Sequence, residues 1–228
     1  MQHMLSFHFP AHSTLTGREF SWILASYLIG CFTAGFYWTR WKTGQDIRRL
    51  GSGNVGARNV GRNLGPAGFA ATLLVDACKG ALVVFIGQWL GLRPEPLVAT
   101  LLAVVIGHNW PIQLRFHGGK GIAVSFGALL AYDPGIVLVL LLLFLPLYAL
   151  LRNFTLAGML AYALGPAVLF LRECPKVDIA ALSLIAILVL VAHRRNIRQE
   201  ISRFAGHRPV KGAPVRMHKG PKGPNEET

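Results

Sequence analysis

Long apolar stretches alternate with short polar connections along the 228-residue chain. The apolar stretches cover residues 20–38, 69–92, 96–112, 122–151, 156–171 and 179–192. A transmembrane helix needs about 20 mostly apolar residues, so each stretch is a candidate span. The stretch at 122–151 is too long for one simple span, and Asp133-Pro134-Gly135 interrupts it with residues that break helices. Two crossings here, the first a short arm at 122–132, predict an all-α polytopic membrane protein with about seven transmembrane helices.

The connecting segments carry nearly all of the charge, and they predict the orientation of the chain. Residues 40–62 contain six Lys or Arg against one Asp, and the segment from Arg194 onward contains nine more basic residues. The turns at 93–95 and 172–178 are nearly balanced in charge. With seven spans, every basic segment lies on the inner side of the membrane, as the positive-inside rule requires. We therefore expect the N-terminus outside and the C-terminus inside, with the basic loops facing the cytoplasm.

Composition favours a membrane protein over a soluble one. Hydrophobic residues make up 53% of the chain and charged residues only 14%, whereas soluble domains carry about 25% charged residues. The net charge of +13 would suggest nucleic acid binding in a soluble protein. Here it is better explained by Lys and Arg held beside anionic membrane lipid, so lipid and not nucleic acid is the expected partner. The three cysteines lack metal-ligand spacing, and no metal is expected.

One membrane domain is predicted, covering residues 20–206, because no fixed-period repeat divides the chain. Residues 1–19 form an expected external N-terminal segment. Residues 207–228 are rich in Pro, Gly and Lys without apolar periodicity, which predicts a disordered basic cytoplasmic tail. The sequence leaves the oligomeric state open.

The first internal loop, residues 51–66, combines glycines with asparagines and arginines. Its G-x-G-x-x-G spacing imitates a dinucleotide fingerprint, but that fingerprint requires a preceding strand, and a membrane helix precedes this loop. Glycines let backbone N–H groups approach an anion, and polar side chains add donors. An anion cradle is therefore predicted, with a merely flexible loop as the alternative. Its candidate donors are Ser52, Gly53, Asn54, Gly56, Asn59 and Arg62.

The second internal loop, residues 107–121, ends in Gly118-Gly119-Lys120-Gly121. This run resembles a phosphate-binding turn, although no Ser or Thr follows Lys120 as in a Walker A loop. The helix that begins after Gly121 adds an N-terminal dipole that favours an anion. His108 opens the loop as a further candidate ligand, whereas Arg115 and His117 equally suit anchoring at the membrane interface.

Other polar residues flank or interrupt the apolar stretches. Asp76 and Lys79 share a helical face inside the second span, which predicts an ion pair and leaves open a role in stiffening the site. Thr155 lies in a third internal turn. His193 and Asn196 are three residues apart where the last span ends, followed by Arg198. These three could form part of a site or simply hydrogen-bond at the interface.

The sequence lacks the residues that several kinds of catalysis require. No acidic cluster is available to hold Mg²⁺, no G-x-S-x-G elbow is present, and no histidine begins an H-x-x-x-x-D sequence. The remaining chemistry uses an electrophile that is already activated and requires mainly positioning and charge stabilisation. No cofactor is expected.

The motifs resemble those of the acyl-phosphate-dependent glycerol-3-phosphate acyltransferases, the PlsY family of bacterial membrane enzymes. The G-S-G-N-x-G-x-T-N-x-x-R-x-L-G pattern matches residues 51–65, except that Arg58 stands where threonine is usual. D-x-x-K-G matches residues 76–80, G-H-x-x-P-x-x-x-x-F-x-G-G-K-G-x-A matches 107–123, and H-x-x-N-I matches 193–197. Further departures are Val124 for threonine, Thr155 for serine, and Arg208 within a segment that is usually G-T-E.

The resemblance implies a seven-helix enzyme of the bacterial inner membrane whose active site faces the cytoplasm. It would transfer a fatty acyl group from acyl phosphate to the 1-hydroxyl of glycerol 3-phosphate, giving lysophosphatidic acid and phosphate for phospholipid synthesis. Phosphate recognition would fall to Ser52, Arg62, Lys120 and the turn at 118–121. His193 and Asn196, helped by Thr155, would orient the hydroxyl or the acyl phosphate. Two alternatives are an altered paralogue that binds anionic lipid or a phosphorylated metabolite, and a small anion transporter.

Overall fold

The computed structural model describes residues 14–198, and these residues contain helices and turns without β-strands. The helices are α1 (Gly17–Cys31), α2 (Ala34–Thr43), α3 (Ala57–Trp89), α4 (Pro94–Asn109), α5 (Ile122–Tyr132), α6 (Pro134–Leu151), α7 (Phe154–Leu171) and α8 (Lys176–Ala192). The chain up to His193 forms one compact unit, and a second unit begins at Arg194. The tail predicted at 207–228, including Arg208, and most of the predicted N-terminal segment lie outside the described residues.

Length and composition make this an integral membrane fold. Five stretches of the described chain are long and apolar enough to cross a membrane: Gly17–Thr43, Ala57–Trp89, Pro94–Leu114, Pro134–Leu151 and Phe154–Leu171. Helix α5 is apolar but has only 11 residues, and α8 has 17. The all-helical polytopic prediction is confirmed. The count of seven spans and their orientation stay predictions, since they depend on both shorter helices crossing.

The predicted break within the fourth apolar stretch is confirmed at Asp133. Helix α5 ends at Tyr132, and α6 begins at Pro134. The Asp133 side chain accepts a hydrogen bond of 2.7 Å from the Gly135 N–H, which caps α6. Pro134 occupies the first helical position, where a missing N–H costs nothing.

Helix α3 begins twelve residues earlier than the predicted span, which started at residue 69. Residues 57–64 therefore form helix instead of the predicted loop. The helix kinks at Gly65, whose φ of 75° is left-handed, and Pro66 then starts the longer segment. The physical reason is that Gly65 and Pro66 together end one short helix and begin another. The arginines and asparagines of this segment consequently project from a rigid helix.

Glycines allow the helices nearest the site to pack closely. A Cβ on Gly30 of α1 would lie 2.3 Å from the Val104 carbonyl oxygen of α4. A Cβ on Gly80 of α3 would lie 2.1 Å from the Val124 carbonyl oxygen of α5. Inside lipid, helices associate mainly through van der Waals packing, and small residues at such crossings allow the close approach that this packing requires. The two crossings fix α4 against α1 and α5 against α3. Residues 110–121 connect α4 to α5, and residues 107–109, which were predicted as loop, belong to the end of α4.

Candidate active site

Asn59 organises the first glycine-rich loop from within. Its side chain is buried, with 1% exposure. The Oδ1 atom accepts a bond of 2.9 Å from the Ser52 N–H, and Nδ2 donates to the carbonyl oxygens of Leu50 and Asn54, each at 2.9 Å. The fold of the loop therefore uses both ends of the Asn59 amide, and the role of Asn59 as a phosphate ligand stays a prediction.

The other donors of the first loop remain at the surface. The Ser52 and Arg62 side chains are exposed, and Gly53 and Asn54 are half-buried. Gly53 has φ of 72°, a conformation that a side chain would strain. Gly56 is the N-cap of α3. The Ser52 and Arg62 side chains can still reach an anion in solution, whereas the Gly53 N–H donates to the Leu50 carbonyl oxygen at 3.0 Å. The assignment of these residues to the substrate site stays a prediction.

The second loop differs from the predicted amide cradle. The Gly118 N–H donates to the Asn109 carbonyl oxygen at 3.1 Å, and the Gly119 N–H donates to that of His108 at 2.9 Å. Both N–H groups are thus engaged with the end of α4, and the expectation that the two glycines bind the anion directly stays a prediction. Gly121 has φ of 81° and precedes α5 with no side-chain cap. The donors that the loop offers are thus Lys120 and the first N–H groups of α5.

His108 supports the turn from inside the helix bundle. Its ring is 3% exposed, and Nδ1 lies 2.9 Å from Lys79 Nζ. Lys79 also donates to Asp76 Oδ1 at 2.9 Å and to the Phe32 carbonyl oxygen at 2.6 Å. The predicted ion pair of Asp76 and Lys79 is confirmed. Burial and these contacts place His108 beneath the turn, where it can position the loop, and its predicted role in binding substrate stays a prediction.

Asn109, the last residue of α4, was missed by the reasoning from sequence. Its side chain is 3% exposed, and among the described residues neither amide atom has a hydrogen-bond partner. The Oδ1 atom would lie 2.9 Å from a Cβ on Gly121, so the amide stands directly behind the start of α5. A polar residue at the end of an apolar helix, beside a motif histidine, was the signal that could have found it.

Arg58 contacts Thr155 and lies within electrostatic reach of His193. Arg58 of α3 donates a hydrogen bond from Nη1 to the Thr155 hydroxyl oxygen of α7. The imidazole follows the end of α8 and is 2% exposed. The pKa of His193 is lowered to about 4, mainly by burial, and the positive charges of Lys120 and Arg58 contribute to this lowering while the Val189 carbonyl opposes it. Lys120, Arg58 and His193 therefore act on one another electrostatically.

The tautomer of His193 follows from its one backbone contact. Nδ1 lies 2.8 Å from the Val189 carbonyl oxygen, which can only accept, so Nδ1 carries the proton. At neutral pH the ring is uncharged, and Nε2 is a hydrogen-bond acceptor. Asn196 and Arg198 belong to the second unit, and their part in the site stays a prediction.

The chain is similar to known proteins over most of its length. A family model described as glycerol-3-phosphate acyltransferase matches residues 20–203. Glycerol-3-phosphate acyltransferase 1 of Desulfitobacterium hafniense is 39% identical over 82% of this chain and 92% of its own length. The enzyme of the same name from Bacillus anthracis is also 39% identical, over 77% of this chain and 93% of its own.

Solved structures resemble the fold as well. The crystal structure of PlsY (YgiH), an integral membrane glycerol 3-phosphate acyltransferase, in its glycerol 3-phosphate form has a TM-score of 0.75 and 32% identity, covering 82% of this chain and 94% of that one. Its lysophosphatidic acid form has a TM-score of 0.73 and 30% identity, with 82% and 93% coverage. The chain therefore belongs to the glycerol-3-phosphate acyltransferase family of integral membrane enzymes, the PlsY family.

Proposed function

We propose that this protein transfers a fatty acyl group from acyl phosphate to the 1-hydroxyl of glycerol 3-phosphate, giving lysophosphatidic acid and phosphate. The observation that carries the proposal is the neutral His193, with an accepting Nε2, held within the electrostatic reach of Lys120 and Arg58. Such a site can accept a hydroxyl proton and hold phosphate charge at the same time. Membership of the family indicates glycerol 3-phosphate as the acyl acceptor. The site has no strong base, which favours an acyl donor that is already activated.

The reaction then requires little from the protein beyond positioning. The glycerol hydroxyl donates its hydrogen bond to Nε2 of His193, and its oxygen forms the ester bond to the acyl carbon. The bond between that carbon and the phosphate oxygen breaks, and the proton passes through Nε2 to the departing phosphate. Because the pKa of His193 is about 4, the ring relays the proton instead of retaining it. Lys120 and Arg62 stabilise the phosphate charge.

The acyl donor is tested directly with purified protein and labelled glycerol 3-phosphate. Palmitoyl phosphate is expected to give lysophosphatidic acid, whereas palmitoyl-CoA and palmitoyl-acyl carrier protein are expected to give little. A charged hydrogen bond contributes roughly 1.5–3 kcal/mol, so Lys120→Ala should lower kcat/KM by about ten- to a hundred-fold or more. Lys42→Ala is the matched control, because it also removes a lysine but one that is not among the proposed phosphate ligands. Lys42 lies on α2, over the Trp41 ring, 4.6 Å from its centroid.

Each contrary outcome points to a different alternative. Product from palmitoyl-CoA alone overturns the acyl phosphate donor. No product from any donor overturns the enzyme and favours a paralogue that only binds anions, for which Arg58 is the motivating residue. Flux of glycerol 3-phosphate across sealed vesicles without chemistry would indicate a transporter.

The site is proposed to face the cytoplasm of a bacterial inner membrane, which the positive charge of segment 40–62 supports. Gln45 is exposed in this segment. A Gln45→Cys variant whose native Cys31, Cys78 and Cys174 are replaced by Ser should react with a membrane-impermeant maleimide in inside-out inner-membrane vesicles, whereas in intact spheroplasts it should not. Labelling in spheroplasts would reverse the orientation.

A further inference from the structure

Arg58 connects two helices at the position where this chain departs from the family pattern. It lies in the first turn of α3, and its Nη1 donates to Thr155 in the first turn of α7. The threonine that is usual at position 58 has a short, uncharged side chain. Arginine therefore adds both reach and a positive charge to the site.

The surroundings of Arg58 favour an anion. An arginine in the first turn of a helix faces the positive end of the helix dipole, which is unfavourable. Lys120 adds a second cation, since both residues lower the pKa of His193. The guanidinium has five N–H donors, and the contact with Thr155 uses one. The Thr155 oxygen accepts from Arg58, so its own O–H is left to donate to an acceptor. A phosphate between these groups would satisfy both charge and hydrogen bonding.

An exposed aromatic strip continues from the guanidinium. The Arg58 Cζ atom lies 5.5 Å from the Phe154 ring centroid. Phe154 packs edge-on against Phe144 at 5.1 Å, and Phe144 stacks on Tyr148 at 5.6 Å. Phe154 on α7 is 49% exposed and Tyr148 on α6 is 42% exposed, and both helices are candidate membrane spans. A cation therefore lies at the end of an exposed aromatic surface on two candidate membrane spans.

We infer that Arg58 and Thr155 bind the phosphate of the acyl donor, and that Phe144, Tyr148 and Phe154 contact the beginning of its acyl chain. A phosphate joined to a long apolar chain fits a cation joined to an aromatic strip. Glycerol 3-phosphate has no apolar part that would use the strip. The inference rests on the proposed function, and it assigns a subsite within the same active site.

Separate kinetics for the two substrates test this assignment. Arg58→Thr introduces the residue usual in the family, so folding is expected to be retained. It should raise KM for palmitoyl phosphate, and the inhibition constant of an unreactive palmitoyl phosphonate, by about ten-fold or more. KM for glycerol 3-phosphate should change by less than about two-fold. Arg58→Lys keeps the charge but loses the planar guanidinium. Its KM for palmitoyl phosphate should lie between those of the wild-type enzyme and Arg58→Thr.

Two further variants separate the parts of the subsite. Phe154→Ala should raise KM for palmitoyl phosphate and leave that for acetyl phosphate, whose acyl group has no chain beyond a methyl, unchanged, whereas Arg58→Thr should raise both. Thr155→Val removes the hydroxyl and keeps the shape. If Arg58 served only to tie α3 to α7, Thr155→Val and Arg58→Thr would lower kcat equally without changing either KM, and the inference would be wrong.

The remaining outcomes are equally decisive. A rise in KM for glycerol 3-phosphate alone would assign Arg58 to the acceptor phosphate and overturn the inference. If the wild-type enzyme is active and Arg58→Thr leaves both KM values and kcat unchanged, the inference is also overturned. The proposed function then remains intact. A wild-type enzyme that is inactive with every donor would overturn the proposed function itself.

Discussion

Gly119, in the turn at 118–121, packs closely against His108 of α4. A Cβ at this position would lie 2.0 Å from Nε2 of His108 and 2.7 Å from two ring carbons. Ordinary contact begins near 3.4 Å, so the ring would have to retreat by about 1.4 Å. Gly119→Ala therefore tests whether His108 positions the turn.

The magnitude follows from what holds the ring. Its other nitrogen, Nδ1, is 2.9 Å from Lys79 Nζ, so a retreat would disturb a buried charge-assisted bond. Overpacking costs about 1–3 kcal/mol, and a hydrogen bond to a charged group contributes about 1.5–3 kcal/mol. We expect Gly119→Ala to destabilise the protein by about 3–5 kcal/mol. At roughly 2–4 °C per kcal/mol for a chain of this size, Tm should fall by about 10 °C.

Thermal unfolding in detergent and the acyl transfer assay measure the two consequences. Gly158→Ala in α7 is the matched control, because no atom lies within 4 Å of its Cβ and alanine favours a helix by about 0.5–1 kcal/mol. In a His108→Ala background, Gly119→Ala should cost little, since the ring it would meet is gone. If Gly119→Ala behaved like Gly158→Ala in stability and in kcat/KM, the positioning role of His108 would be refuted.

Three other predictions test the remaining contacts. Asn59→Asp places a carboxylate oxygen against the Leu50 carbonyl, so kcat/KM should fall at least ten-fold and Tm should drop; unchanged kinetics would contradict the structural role. Lys79→Met leaves Asp76 buried without its partner and should cost about 3–5 kcal/mol in thermal unfolding, much of it recovered by adding Asp76→Asn. The imidazole of His193 should titrate in ¹⁵N NMR spectra near pH 4, and stability should fall as pH drops from about 6.5 to about 4, because the unfolded state binds the proton first; a midpoint near 6.5 would contradict its burial.

The features predicted well from sequence are those that local chemistry decides. The break at Asp133 needed only a capping carboxylate and a proline at the first helical position. The ion pair of Asp76 and Lys79 needed only helical spacing inside an apolar segment. Neither depends on what a distant part of the chain provides.

The features that were missed depend on tertiary contacts. An asparagine offers the same donors to an anion and to backbone carbonyls, and only the folded loop shows that Asn59 serves the backbone. Likewise, the run at 118–121 reads the same whether its amides point outward or toward α4. The contact between Arg58 and Thr155 joins residues 97 positions apart, which no local pattern encodes.

The glycines of the second loop acquire a different physical meaning from these contacts. A Cβ on Gly118 would lie 2.2 Å from the His108 carbonyl oxygen, and one on Gly119 would meet the His108 ring. Glycine is therefore required at both positions for the close packing of the turn against the end of α4. In the proposed site, phosphate charge is met by side-chain cations, with Lys120 just before α5 and Arg62 on α3. The affinity for phosphate would then depend on how α3 and α5 are held together, which the buried glycine crossing between them provides.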